Sequence, residues 1–123
     1  MNYLVMKVAE VFVKDPEWPN ESKGVLFLEN DRIVVRINKF PDKVLLRRND
    51  VIISLGEIKK WTKKSRKSLY KKIPMLRIRT KKGVYEILFP GEKGSEERDQ
   101  VMNWLNERLG VEKEKVKSQT KPT

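Results

Sequence analysis

Two short apolar runs, residues 25–28 (VLFL) and 33–37 (IVVRI), flank Asn30 and Asp31. Asn and Asp tolerate the positive φ of tight hairpin turns, so the stretch predicts a β-hairpin. The same pattern recurs along most of the chain. From residue 3 to 14 the apolar positions Leu4, Met6 and Val8, then Val11 and Val13, alternate with one slip between Val8 and Val11. That slip is the signature of a bulge in a long strand. Pro16, Pro19 and Asn20 then break the chain into a loop, with Trp18 expected over a core edge.

Further strands are predicted at residues 44–48 and 51–55, the second of which could continue the first. Leu55, Ile58 and Trp61 fall at steps of three, which predicts a tight turn at Gly56 and a strand through Trp61. Residues 63–72, rich in Lys and Ser, read as a loop. Beyond it Leu76 and Ile78 face one way and Arg77 and Arg79 the other. Lys82 and Gly83 turn the chain into VYEILF and close a second hairpin. One helix follows, with Ser95 as its expected N-cap and Glu96 and Glu97 favoured by the dipole of its first turn. Val101, Met102, Leu105 and Leu109 form its apolar stripe, bordered by Trp104 and ended by Gly110. The order is about seven strands and then one amphipathic helix, with no βαβ alternation. The fold class is α+β, mainly β.

At 123 residues and 38% hydrophobic, the chain fits one domain with one modest core, over residues 1–110. Residues 111–123 lack core residues and are expected to be a charged, disordered tail. No stretch approaches the ~18 apolar residues of a membrane span, and the N-terminus lacks the charged start of an export signal. The chain therefore reads as soluble and cytoplasmic. Charged residues make up 37%, with no His or Cys, the balance of hyperthermophile proteins.

Charge is distributed unevenly. Residues 59–82, KKWTKKSRKSLYKKIPMLRIRTKK, hold twelve of the 28 Lys and Arg and none of the 17 Asp and Glu; without them the chain has 16 basic against 17 acidic residues. A hyperthermophile surface is Lys-rich, but it is Glu-rich alongside, and this segment is not. Like charges packed so densely repel one another unless they are well solvated or meet an acidic partner. The candidate binding residues are Lys59, Lys60, Lys63, Lys64, Arg66, Lys67, Tyr70, Lys71 and Lys72, with Arg77, Arg79, Lys81 and Lys82 on and after the next strand.

Two local signatures carry a family resemblance. GVLFLENDRIVV resembles the second and third strands of GRAM-like and bacterial-type pleckstrin-homology domains, with Gly24, Asn30 and Arg32 in matching places and Glu29 where the family has Thr. ISLGEIKKW resembles the signature that follows it, with Ile53, Leu55, Ile58 and Trp61 in place. The likeness covers most of residues 3–109 and implies an open barrel of about seven antiparallel strands capped by a C-terminal helix. Within the superfamily the chain is most similar to the N-terminal domain of archaeal taxis adaptors of the CheF family, although it stops where those continue into a second region. That resemblance implies an adaptor that meets a response regulator. The phosphoinositide-binding feature of pleckstrin-homology domains is a basic loop between the first two strands. Here that loop carries Asp15, Glu17 and Glu21 against Lys14 and Lys23, so a specific head-group site is not expected.

Catalysis is not expected either. Without His or Cys the usual proton shuttle, metal ligand and thiol nucleophile are absent, and no nucleophile elbow, phosphate loop or acidic metal cluster appears. Gly91 and Gly94 precede the helix, but the glutamates after them oppose an anion. The expected role is a binding module with no cofactor, metal or small-molecule substrate, docking an acidic protein through its basic segment. Nucleic acid is the rival partner. Tyr70 is then the better ring for stacking a base, since Trp61 reads as core, and binding would follow the phosphate backbone and fall steeply with salt. Attraction to an anionic membrane, about 1 kcal/mol per Lys or Arg near the surface, is a weaker third.

Overall fold

The computed structural model describes residues 4–18, 20–38 and 49–110. Seven strands and one helix follow in order: β1 (Leu4–Lys14), β2 (Ser22–Glu29), β3 (Arg32–Ile37), β4 (Val51–Ser54), β5 (Ile58–Lys67), β6 (Lys72–Thr80), β7 (Gly83–Leu88) and α1 (Gly94–Leu105). The expected strand at 44–48 and the tail at 111–123 lie outside the described residues.

All neighbouring strands are antiparallel and form one open sheet in the order β4-β3-β2-β1-β7-β6-β5. Six spacings of about 4.8 Å would make a flat sheet roughly 29 Å wide. Yet the buried residues of both halves belong to one apolar cluster, from Val8, Leu26, Ile33 and Ile53 to Leu76, Ile78 and Ile87. The sheet is therefore strongly curved, with its concave side filled. Val101, Trp104 and Leu105 of α1 join the same cluster.

Local choices explain the curve. In β1 the pairing with β2 shifts between Val8 and Val11, which brings Val8, Val11 and Val13 all into the core. Only residues 12–14 of β1 pair with β7, so the two halves of the sheet meet over a short seam. A single 3₁₀ turn, Leu55–Glu57, joins the edge strands β4 and β5, as the step-of-three spacing predicts. Gly83, at φ 137°, makes the β6–β7 turn with a backbone conformation that suits glycine.

Two expectations are corrected. The Asn30–Asp31 turn uses no positive φ among the described non-glycine residues; it is closed by the Arg32 to Glu29 ion pair at 2.9 Å. The helix begins at Gly94 with Lys93 as N-cap, not at Ser95. Packing decides that start: a Cβ on Gly94 would lie 2.1 Å from the Phe89 carbonyl oxygen, so the first turn sits directly against the end of β7. Beyond Leu105 the helix widens into a π-helical turn, Asn106–Gly110.

Candidate functional site

The basic segment is not the expected loop but the long β5–β6 hairpin. β5 runs on to Lys67, six residues past Trp61, because β6 supplies an unbroken ladder from Lys60/Arg79 to Lys67/Lys72, after a register shift between Ile58 and Lys60. Ser68 closes the turn: its backbone N–H and its hydroxyl both donate to the Lys71 carbonyl, at 2.8 and 2.9 Å. Leu69 and Tyr70 stand at the tip, 92% and 94% exposed.

Directly opposed residues share a face, so the register sorts the cations. Trp61 lies opposite Ile78 and Lys63 opposite Leu76, on the side of the core. Trp61 packs partly buried against that core, as its spacing predicts, and its Nε1 donates to Asn106 Oδ1 at 2.8 Å. Lys63 leaves the apolar side by reaching Asp99 of α1 at 3.6 Å. On the other side Lys60 faces Arg79, Thr62 faces Arg77 and Lys64 faces Met75.

Carboxylates from distant segments partner some of these groups. Arg77 donates through Nε and Nη2 to Glu86 Oε2 at 3.0 and 2.8 Å, Arg66 pairs with Glu21, and Lys82 lies 3.9 Å from Glu57. Lys60, Lys64, Lys67, Lys72, Arg79 and Lys81 have no carboxylate partner among the described residues, and Lys71 only approaches the Pro90 carbonyl at 3.4 Å. Lys59 is exposed at the start of the strand. Cations elsewhere on the sheet fare differently. Lys7 and Arg36 lie over the Phe27 ring at 5.8 and 5.4 Å, and Lys23 is 3.7 Å from Glu10.

β5 is an edge strand, and lysines commonly guard such edges against pairing with another chain. Here α1 and the turn after it reach that edge at three points. The guanidinium of buried Arg98 donates to the Lys64 carbonyl at 2.8 Å, and the Lys63/Asp99 and Trp61/Asn106 contacts fasten the helix on either side. Two like-charge pairs nevertheless stand directly across from one another, Lys60/Arg79 on the solvent side and Lys67/Lys72, next to the turn, on the side of Trp61 and Lys63. Such pairs destabilise a sheet.

Sequence reasoning placed Tyr70 in solvent but missed Leu69. Its signal was an apolar residue among lysines with no periodic partner to bury it. Among the described residues no group of acidic side chains is placed to hold a metal ion, and no helix is long and apolar enough to cross a membrane.

No protein-family model and no curated protein matches the chain. Among solved structures it is similar to the C-terminal domain of an unknown protein from Leishmania infantum, at 16% identity and a TM-score of 0.56, over 86% of this chain and 83% of that one. This likeness shows the fold alone. The duty of the hairpin has to be argued from its own chemistry.

Proposed function

We propose that the chain is a non-catalytic docking module whose β5–β6 hairpin engages an acidic surface on a protein partner. One observation carries the reading: the hairpin keeps like charges directly opposed, at Lys60/Arg79 and Lys67/Lys72, outside the stretch of residues 61–64 where α1 and the turn after it touch the edge. Stability does not account for that arrangement, and edge protection calls for no cation at Lys72 or Arg79, which lie on the interior strand β6, whereas an acidic partner would relieve the repulsion on binding. Charge of this kind speeds encounter and selects the sign of the partner, while exposed rings and apolar tips supply short-range affinity. Leu69 and Tyr70 stand where such anchors are needed. The taxis-adaptor resemblance suggests a response-regulator receiver domain, whose phosphorylation site is ringed by acidic residues.

The test is a titration of the protein, at several salt concentrations, against a phosphorylated receiver domain and against poly-glutamate as a generic acidic probe. The variant Lys60→Glu/Lys64→Glu/Lys67→Glu/Lys72→Glu should lose both interactions while remaining folded. Retained binding by that variant would place the docking surface elsewhere.

Tyr70, 94% exposed and followed by Lys71 and Lys72, favours single-stranded nucleic acid as the second reading, because the ring is free to stack a base between phosphate-binding cations. Tight binding to single-stranded RNA that collapses between 50 and 200 mM salt, roughly as counterion release dictates, would promote it over the first.

A further inference from the structure

Near the opposite end of β6 from the Leu69–Tyr70 tip, carboxylates from other segments gather beside Lys82. There the β1–β2 connection brings Asp15, Glu17 and Trp18 beside Asp50, Lys82 and the ring of Tyr85, and together they line a cavity of about 390 Å³. That volume falls within the range of small-ligand sites, about 300–1,000 Å³. Its acidic groups are only partly satisfied. Asp50 Oδ1 accepts the Ile37 N–H at 3.0 Å, and Lys82 lies 3.9 Å from Glu57. Neither Asp50 nor Glu17 has a cation partner among the described residues.

The second observation is Tyr85 itself. Its side chain is only 5% exposed, it lines the cavity, and its hydroxyl has no hydrogen-bond partner among the described residues. The ring is held in the core while the hydroxyl itself opens into the cavity, where a ligand can reach it. Burial first, and then the charges of Glu57, Asp15 and Glu17, push its pKa above the ordinary tyrosine value, so the hydroxyl stays neutral and can both accept and donate. The carboxylates do not converge as a metal ion requires. Spread acceptors in a cavity lined by Tyr85 and Trp18 match a delocalised cation with several N–H donors.

We propose that this cavity binds an organic cation, a guanidinium or alkylammonium group, with the Tyr85 hydroxyl and the carboxylates of Glu17 and Asp50 as acceptors. The proposal is independent of the hairpin and would give the module two docking sites of opposite sign.

The experiment is an NMR titration of the whole chain with N-acetyl-arginine amide, with its neutral urea analogue N-acetyl-citrulline amide, and with spermidine. Saturable shifts at the Trp18 indole and the Tyr85 ring are expected with arginine amide and not with the citrulline compound. Glu17→Gln, an exposed substitution, should weaken binding roughly tenfold, and Tyr85→Phe several-fold, by removing charge-assisted bonds. Tighter binding of spermidine than of arginine amide would identify a free polyamine as the ligand; the reverse order would identify a side chain presented by a protein. Three results would overturn the site: no saturable shift with any cation, equal affinity for the citrulline compound, or unchanged affinity in both variants. The four-lysine hairpin variant should bind arginine amide as the wild type does, which separates failure here from failure of the hairpin reading.

Discussion

Lys60 on β5 stands directly opposite Arg79 on β6, two cations on the solvent side of an antiparallel ladder. Cross-strand pairs are worth roughly 0.2–1 kcal/mol, with like charges unfavourable. Arg79→Glu should therefore raise stability in chemical denaturation by a few tenths of a kcal/mol, up to about 1. The same substitution should weaken binding to poly-glutamate. A variant that is both less stable and an equal binder would contradict the assignment of this pair to a partner.

The tip predicts a separation of the opposite kind. Leu69 and Tyr70 are almost wholly exposed and make no packing contribution to the core. Leu69→Ser/Tyr70→Ser should leave unfolding free energy within about 0.5 kcal/mol of the wild type. Affinity for the receiver domain should fall about tenfold if the pair acts as an anchor. Loss of affinity for poly-glutamate should be much smaller, since that probe offers no apolar surface. Equal losses for the two probes would assign the tip to electrostatics alone.

Arg98 tests how the helix holds the edge of the sheet. Its buried guanidinium donates to the Lys64 carbonyl at 2.8 Å and lies 3.3 Å from Asp99. Arg98→Met keeps much of the apolar stem but leaves the Lys64 carbonyl without this donor. The expected loss is about 1–3 kcal/mol, the usual range for a hydrogen bond to a charged group and its unsatisfied partner. Amide hydrogen exchange along residues 63–66 should quicken more than exchange in β2 or β3. Uniform change across the sheet would mean that Arg98 supports the whole core and not this edge.

Much of the architecture was legible because burial writes a period into the chain. Val25 to Leu28 and Ile33 to Ile37 stand out as apolar runs on either side of a turn and their burial alternates in the sheet, while the Val8/Val11 slip in the alternation of β1 marks a real register shift. Residues 62–67 carry no such signal. They form a strand because β6 offers partners for their backbone, while their side chains face water or α1, so nothing apolar recurs at every second position. The helix start was misplaced for a related reason: Ser95 has the side chain of a cap, but close approach to Phe89 sets the boundary at Gly94. The basic character of the site could be read directly from residues 59–82. Two of its neutralised members could not, because Glu21 and Asp99 reach Arg66 and Lys63 only once the sheet has curved and the helix has docked, whereas Glu86 meets Arg77 directly across the β6–β7 hairpin. The acidic cavity was foreshadowed by Asp15 and Glu17 alone, since Asp50 and Tyr85 come from other strands.

Tyr85 adds a dependence on alkaline pH. Burial, and then Glu57, Asp15 and Glu17, hold its pKa above the ordinary value of 10.0. The folded state thus keeps the phenolic proton more tightly than the unfolded chain does. This contribution to stability is complete below the unfolded pKa, near pH 10, and is lost as the pH rises through the folded pKa. Tyr85→Phe cannot ionise, and the hydroxyl it removes has no protein partner among the described residues. At pH 7 the variant should unfold within about 0.5 kcal/mol of the wild type. As the pH rises above 10 it should lose less stability than the wild type, and because the other titrating groups are common to both proteins, the difference between the two curves isolates the phenol. Parallel curves above pH 10 would show that Tyr85 ionises as freely in the folded protein as in the unfolded one, and would remove the shielded setting argued for its hydroxyl at the cavity.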